Sequence, residues 1–331
     1  MDEKMERILA GIVDLHSPRA WLVINRRFEI VYANQAFCQI WNRPYEVLEG
    51  RSIADIWYNG RTHSAQGKYY GAIIATMATG QEFREAEIHL RDSETYAHYW
   101  FLANTYLVTD QAGVPEFAVA NYVMIDKFKA IERQLDTINL SIIKAFARAI
   151  GSRDVYTLTH EENVAKLMSG LGEYLDLSAS DISTAYLVGL VHDVGKLGIP
   201  EPVLNKPDKL TPEEYALIQR HSVIGADILK EVEGFDDISC IVRFHHERFD
   251  GAGYPNGLQG QNIPLLSRML AVCDAYDAMT SSRCYRLPLG RENALAEVER
   301  CAGTQFDPDI SRMFVQYARE NAGGELCCQP V

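Results

Sequence analysis

The stretch HHERFDGAGYP occupies residues 245–255 and contains two adjacent histidines, a carboxylate, an arginine and a glycine-rich turn. Two imidazoles side by side need something to hold them, which is either a hydrogen-bonded core or a metal ion. The glycines at 251 and 253 allow the backbone to turn tightly before Tyr254 and Pro255. The choice between the two explanations depends on the other ionisable residues in this half of the chain.

Five of the nine histidines lie in the C-terminal half, at positions that helical periodicity directs toward a core. His160 lies one turn before Val164 on an amphipathic stretch, and His192 ends an apolar helix. His221 is expected to close the helix that starts near Thr211. A single histidine near an apolar face is more often a hydrogen-bonded core residue, but two carboxylates accompany this set. The candidate residues are His160, His192, Asp193, His221, His245, His246 and Asp274.

Metal ions explain this clustering better than a hydrogen-bonded core. Burying so many ionisable groups without partners would cost several kcal/mol each, and bound cations offset that cost. Mixed imidazole and carboxylate ligands suit iron, manganese or zinc, with nickel and cobalt as alternatives, rather than calcium or magnesium. No cysteine joins the set, which argues against a structural zinc site.

The region around these residues, 151–325, is predicted to be an all-α helical bundle. Residues 158–175 are amphipathic, and residues 181–194 are apolar almost all round, which indicates a buried helix. Thr211 to Glu214 form a capping box with proline at the first helical position. Two further amphipathic helices are predicted over residues 264–281 and 291–301.

Residues 127–150 are predicted to form a linker helix with a heptad seam. Apolar or small residues recur at alternating spacings of three and four, which is typical of a coiled coil. They are Phe128, Ile131, Leu135, Ile138, Ile142, Ala145 and Ala149. The stretch is short and could pack on its own domain, but a parallel dimer helix is favoured.

Residues 15–126 are predicted to form a small α/β domain, preceded by an N-terminal extension over residues 1–14. AWLVINRRFEIVYAN reads as two strands with a polar turn, and a mostly helical middle follows. Three further strand-like runs come next: FREAEIHL, YAHYWFLANTYLV and EFAVANYVMI. The whole chain is therefore expected to be a multidomain α+β protein, with a short tail over residues 326–331.

Composition excludes several classes of function. The formal net charge of −13 repels a nucleic-acid backbone, so DNA is not an expected partner. A small anionic substrate is compatible with this net charge if basic side chains are concentrated at one site. No apolar run has membrane-spanning length, and the charged start MDEKMERILA does not resemble a signal peptide. The seven cysteines include no CxxC pair, and a cytoplasmic location is expected.

Two known families resemble this sequence. IVYANQAFCQIW at 30–41 and EVLEGRSI at 46–53 resemble a PAS domain, which implies a sensor with an unknown ligand. His192-Asp193 within LVHDVGKLGIP resembles the HD phosphohydrolase superfamily, and HHERFDGAGYPNGLQGQNIP resembles its HD-GYP branch. That second likeness continues through KLTPEEYALIQRHSVIGADIL, SRMLAVCDAYDAMTSSRCYR and GTQFDPDI.

The HD-GYP resemblance implies a phosphodiesterase with two divalent metal ions. By position, one ion would take His192, Asp193 and Asp274 with His160. The other would take His221, His245 and His246, with Asp193 bridging. Two such ions activate water and stabilise both oxygens of an in-line displacement.

The resemblance and the residue chemistry also suggest groups that contact the substrate. Lys196 would neutralise charge on the phosphoryl oxygens, or it would simply interact with a helix dipole. Arg283 and Arg286 are suited to bidentate phosphate binding. Tyr254 would contact substrate, position a neighbouring loop, or merely pack beside Pro255.

The implied substrate is cyclic di-GMP, a bacterial second messenger. Some members of the branch cleave 3',3'-cyclic GMP-AMP instead, and a weakly catalytic receptor that signals through protein partners is the alternative from another class. Members with a third metal have a glutamate where this chain has Tyr156, so a two-metal enzyme that releases linear pGpG, and GMP only slowly, is expected. Haem is not expected in the PAS domain, because Tyr69 stands at the position of the iron-ligating histidine.

Overall fold

The computed structural model describes residues 19–57, 71–151, 159–281 and 288–321. The chain divides into two compact units, residues 1–137 and residues 138–331. The predicted N-terminal extension and C-terminal tail lie outside the described residues. No described helix has both the length and the apolar character needed to cross a bilayer.

The N-terminal unit is built on an antiparallel sheet whose described strands follow the order β2-β1-β5-β4-β3. The strands are β1 (Ala20–Asn25), β2 (Ile30–Ala33), β3 (Ala86–Arg91), β4 (His98–Thr109) and β5 (Pro115–Met124). Each coincides with one of the strand-like runs in the sequence, so the prediction of an antiparallel PAS-like sheet is confirmed.

Short helices connect β2 to β3 and cover one face of the sheet. They are α1 (Gln35–Ile40), α2 (Tyr45–Leu48), α3 (Ile53–Trp57) and α4 (Ala72–Thr79). Asn34 explains why the chain turns from strand to helix at this point. Its Oδ1 accepts hydrogen bonds from the backbone N–H of Phe37, at 3.0 Å, and of Trp21, at 2.9 Å. One side chain therefore caps α1 and fastens it to β1.

Aromatic side chains fill the core between these helices and the sheet. Phe37, Trp57 and Phe101 are almost completely buried. The ring centroid of Trp41 lies 5.8 Å from that of Trp57 and 5.9 Å from that of Phe101, within the range of separations at which aromatic rings attract each other. Burial of such large apolar surfaces is the main stabilising contribution to this unit.

A long helix, α5 (Asp126–Gly151), follows β5 and covers the predicted linker. Its first residues belong to the N-terminal unit and its later residues to the C-terminal unit.

The C-terminal unit is helical throughout its described part, which confirms the predicted all-α bundle. Its helices are α6 (His160–Tyr174), α7 (Ala179–Val191), α8 (Glu201–Leu204), α9 (Pro212–Gln219), α10 (His221–Lys230), α11 (Asp236–Arg243), α12 (Leu265–Thr280), α13 (Arg291–Arg300) and α14 (Pro308–Glu320). A 3₁₀ helix spans Val194–Gly198. The predicted capping box at Thr211 and Glu214 is present.

Two local predictions were wrong. The helix over residues 181–194 is not buried all round, since its fully buried residues begin at Ala185 and concentrate toward Leu190. His221 does not close the helix that starts at Pro212 but begins a new helix, α10, because Arg220 is the C-cap of one helix and the N-cap of the next. Both differences reflect tertiary packing, which a helical pattern alone does not contain.

Candidate metal centre

The candidate ligands lie mainly at the ends of helices that cross closely. A Cβ at Gly189 of α7 would collide with the backbone of Ala165 on α6, so the two helices touch at that point. His160 lies about one turn from this contact on α6, and His192 about one turn from it after α7. The crossing therefore brings the two imidazole rings together, with centroids 5.4 Å apart.

Within the described part of the chain, six of the candidates form two groups whose ligand atoms lie within 4.8 Å of one another. The first group is His160, His192 and Asp274, in which His160 Nε2 lies 3.2 Å from Asp274 Oδ1. The second group is His221, His245 and His246. Nε2 of His221 lies 3.4 Å from Nε2 of His245 and 3.1 Å from Nε2 of His246.

Asp193 lies between the two groups. Its Oδ1 is 3.5 Å from His221 Nε2, and its Oδ2 is 3.5 Å from His192 Nε2. One carboxylate oxygen is thus directed to each group, which is the arrangement that a ligand shared by two cations requires.

Backbone carbonyls determine which nitrogen of three rings carries the proton. The Nδ1–H of His192 donates to Gly189 O at 2.9 Å, that of His221 to Ile218 O at 2.7 Å, and that of His245 to Val242 O at 2.6 Å. Each Nε2 therefore presents a lone pair to the centre, as in metal-bound histidines generally.

Two of these lone pairs, on His192 and His245, have no hydrogen-bond donor among the described residues. His192 Nε2 is buried and makes no hydrogen bond within the described residues. His221 Nε2 and His245 Nε2 face each other with both protons held elsewhere. A buried acceptor without a donor is costly, and a cation at each group removes that cost. The donor set therefore fits metal ions.

The protonation states of the shared carboxylate and of the second group suit cation binding. Burial, together with the neighbouring His221, lowers the pKa of His246 to about 4, so its ring is neutral at neutral pH. Burial raises the pKa of Asp193, but Lys196 and the nearby histidines outweigh it and hold that pKa well below its usual range. The shared carboxylate stays ionised while the second group stays neutral.

His160 differs from the other rings in what holds it. Its Nδ1 contacts Asp277 Oδ2 at 2.7 Å instead of a backbone carbonyl, and Ser281 donates to the same oxygen at 3.0 Å. Burial opposes a charge on His160, but the hydrogen bonds that His160 donates to Asp274 and Asp277 raise its pKa to about 10. Asp277 was not among the predicted site residues, although its position three residues after Asp274 on α12 was an available signal.

Lys196 lies directly beside the shared carboxylate, with its Nζ 2.7 Å from Asp193 Oδ2. The backbone that carries it is pressed against α10, because a Cβ at Gly195 would collide with the carbonyl oxygen of His221. Lys196 is thus held at the centre rather than extended into solvent, and it is half-buried.

The glycine-rich turn after His246 is organised by Glu247. This buried carboxylate accepts hydrogen bonds from the backbone N–H of Asn256, at 2.7 Å, and of Leu258, at 3.0 Å. The turn carries Tyr254 back over the second group, where its ring centroid lies 4.9 Å from that of His246. Glu247 was also missed from sequence, because nothing local indicates that a residue beside two ligands holds a loop.

Some predicted residues cannot be located in this way. Arg283, Arg286, Tyr156 and Tyr69 lie outside the described residues. Their roles stay predictions.

A helical bundle that holds a group of two histidines and an aspartate, a group of three histidines and one aspartate between them defines a divalent-metal protein of the HD type. The profile of the HD domain matches residues 144–310, and that of the PAS fold matches residues 15–123. The chain belongs to the HD domain family and carries a PAS domain before the HD domain. Divalent metal binding follows from the HD domain and from its two candidate ligand groups.

Curated proteins similar to this chain include phosphodiesterases from three bacteria. A cyclic di-GMP phosphodiesterase of Pseudomonas aeruginosa is 38% identical over 196 residues, which cover 58% of this chain and 45% of that protein. A cyclic di-GMP phosphodiesterase of Thermotoga maritima is 36% identical over 170 residues, which cover 51% of this chain and 46% of that protein. The 3'3'-cGAMP-specific phosphodiesterase 1 of Vibrio cholerae is 42% identical over 147 residues, which cover 44% of this chain and 34% of that protein. The chain spans less than half the length of each of these relatives.

Proposed function

We propose that the C-terminal unit is a divalent-metal-dependent phosphodiesterase that hydrolyses cyclic di-GMP under the control of the PAS domain. The observation that carries the proposal is the Asp193 carboxylate, which directs one oxygen to each of two groups of buried ligands. Similarity to two cyclic di-GMP phosphodiesterases supports the choice of substrate. Because that substrate is an intracellular messenger, the proposal includes a cytoplasmic location.

Two ions are proposed, one for each group, with Asp193 as a ligand to both. Mixed imidazole and carboxylate donors favour iron or manganese, and zinc, nickel and cobalt have similar preferences. A bound pair of divalent ions supplies Lewis acidity and makes water a sufficient nucleophile at neutral pH.

The protein's own side chains orient the substrate and balance its charge. The ammonium group of Lys196, held at the edge of the centre, is proposed to neutralise charge on the phosphoryl oxygens. Tyr254 lies over His246 and is proposed to contact the dinucleotide. Arg283 and Arg286, outside the described residues, complete the proposed substrate contacts as bidentate phosphate ligands.

A second candidate substrate is 3',3'-cyclic GMP-AMP. It is supported by the 42% identity to a Vibrio cholerae protein that is named as specific for that dinucleotide. The two substrates differ in one base only, so both would bring a phosphodiester to the same metal centre.

Product chromatography after incubation of the manganese- or iron-loaded chain with each dinucleotide tests the proposal. We expect cyclic di-GMP to disappear and pGpG to accumulate, with GMP appearing slowly or not at all, because Tyr156 replaces the glutamate associated with a third metal. Faster loss of cyclic GMP-AMP would favour the second substrate. If both dinucleotides stay intact with a metal-loaded chain, the protein is a receptor and the enzymatic proposal is wrong.

A further inference from the structure

Two exposed histidines lie side by side on the sheet of the N-terminal unit, away from the candidate metal centre. His89 is on β3 and His98 on β4, and the pairing of these strands sets His89 opposite Trp100 and His98 opposite Arg91. Because side chains two residues apart on a strand point to the same face of a sheet, both imidazoles emerge on one face. The proposed phosphodiesterase function uses neither ring.

The nitrogen atoms of the two rings are close enough to share one cation. His98 Nδ1 lies 3.1 Å from His89 Nε2. With zinc–nitrogen bonds of about 2.0–2.1 Å, two nitrogens on the same ion are about 3.3 Å apart at a tetrahedral angle and about 2.9 Å apart at a right angle. The observed separation falls between these values. The alternative to a shared ion is a hydrogen bond in which one ring donates to the other.

Aromatic stacking holds the ring of His89 in place without an ion. Its centroid lies 4.7 Å from that of Trp100 and 4.9 Å from that of His98, with interplanar angles of 27° and 15°. Lys129 of α5 lies over the Trp100 ring, 5.6 Å from its centroid, and forms an ion pair with Glu87 at 2.8 Å. A ring that is already restrained loses little conformational freedom when it binds a ligand, and this restraint favours binding.

The charges around His89 favour a neutral ring. Burial, together with the neighbouring His98, lowers the pKa of His89, while Asp126 opposes this shift and Arg133 reinforces it. At neutral pH the imidazole of His89 therefore has a lone pair on one ring nitrogen, which is the form that binds metal ions.

We propose that His89 and His98 form a separate surface site for one divalent transition-metal ion that prefers imidazole nitrogen, such as zinc, nickel or copper. Among the described residues, groups of three or more possible ligands occur only at the metal centre, so water molecules would complete the coordination of this ion. A site with two protein ligands fills and empties with the concentration of free ion. It lies where α5 leaves the sheet, since Asp126 accepts a hydrogen bond from the backbone N–H of Trp100 at 2.6 Å.

Equilibrium dialysis of the manganese-loaded whole chain against micromolar zinc, followed by metal analysis, tests the proposal. His89→Phe and His98→Phe keep an aromatic ring in the stack but remove the ligand nitrogen, and each should hold one metal ion fewer per chain than wild type. Thr109→Phe places the same side chain at an exposed position of β4 and should hold as much metal as wild type. The ligands of the metal centre are the same in all these chains, so exchange of manganese for zinc there cancels in the comparison.

Copper(II) provides a second readout that reports position. Copper(II) quenches the fluorescence of a tryptophan beside which it binds, and Trp100 stacks on His89. Added to the manganese-loaded chain, it should quench part of the tryptophan emission of wild type and of Thr109→Phe, and much less in His89→Phe and His98→Phe. Circular dichroism of each variant checks that the fold is intact.

Three results would overturn the site. Equal metal content in wild type and both histidine variants would mean that the two rings are only hydrogen-bonded to each other. Loss of the ion in one histidine variant but not in the other would contradict a shared ion. Equal quenching by copper(II) in wild type and both histidine variants would place any bound ion away from Trp100.

Discussion

At the scale of single residues, the chemistry of the centre depends on what each histidine ring contacts on its far side. His192, His221 and His245 each donate from Nδ1 to a carbonyl oxygen three residues earlier. Carbonyl oxygens near helix ends lack some of their backbone partners and are free to accept these bonds, which helps to explain why ligands gather at helix termini. The fold therefore sets the tautomers before any cation binds.

Lys196 provides a test of charge stabilisation that is separate from metal binding. Lys196→Ala should retain the metal ions and lower kcat by about 100-fold, because a cation beside the transferring phosphoryl group is lost. Lys230→Ala, at an exposed position on α10, is the control and should keep wild-type kcat. An unchanged kcat for Lys196→Ala would show that Lys196 does not stabilise the transferring phosphoryl group and only interacts with a helix dipole.

Asp277 is expected to act through His160 as a positioning residue. Asp277→Asn removes the carboxylate that holds the imidazole of His160. Affinity for the ion at the first group should therefore fall about 10–100-fold, while the ion at the second group stays bound. Metal content in chelator-buffered solutions measures this directly. Asp309→Asn, at an exposed carboxylate on α14, should leave both affinities unchanged. Equal affinities in Asp277→Asn and wild type would contradict the positioning role.

At the scale of elements, buried polar contacts hold the loops of the N-terminal unit in place. Asp92 follows β3, is buried, and accepts hydrogen bonds from Arg43 at 3.1 Å and from the backbone N–H of Glu94 and Thr95. Burial raises the pKa of Asp92, but these donors outweigh it and keep the pKa below its ordinary value. The ionised form is therefore the one that stabilises this turn.

Asp92→Asn should lower the free energy of unfolding of the N-terminal unit by about 2 kcal/mol at pH 7, since Arg43 loses its buried partner. A depressed folded pKa gives stability that is present above the unfolded pKa, near 4, and lost as pH falls through the folded value. The difference between wild type and variant should therefore shrink below about pH 4.

Tryptophan fluorescence during urea unfolding measures this effect selectively. All four tryptophans, Trp21, Trp41, Trp57 and Trp100, lie in the N-terminal unit. Asp136→Asn, at an exposed carboxylate of the same unit, is the control. A difference between Asp92→Asn and wild type that persists unchanged at pH 3 would rule out the ionised carboxylate as its cause.

Periodicity predicted the helices and strands well because it reports burial directly. The strand-like runs became β1 to β5, and the amphipathic stretch at 158–175 became α6. Periodicity could not predict that α9 ends before His221, since the interruption at Arg220 leaves no mark in the apolar pattern. Nor could it find the contacts that Asp277 and Glu247 make across the fold.

At the scale of the whole molecule, the candidate centre was foreseeable because its members repeat one unusual property. Histidines and aspartates at core-facing positions stood out against ordinary helix composition, and the structure brings the seven together. Substrate contacts were harder to foresee, because residues such as Tyr254 act from turns whose course depends on tertiary hydrogen bonds. The heptad spacing on α5 lay between these cases, since the spacing was readable from the sequence but the exposure of side chains such as Leu135 was not.

Metal content and turnover, measured on the same preparation of wild type and Asp193→Ala, address the shared carboxylate. Wild type should hold about two ions per chain and open cyclic di-GMP, as paired-cation hydrolysis requires. Asp193→Ala should lose most of its metal and all turnover, whereas Asp237→Ala, at an exposed carboxylate of α11, should match wild type. If Asp193→Ala retained the full metal content, or if metal-free wild type turned over cyclic di-GMP at the loaded rate, a centre built on Asp193 would be contradicted.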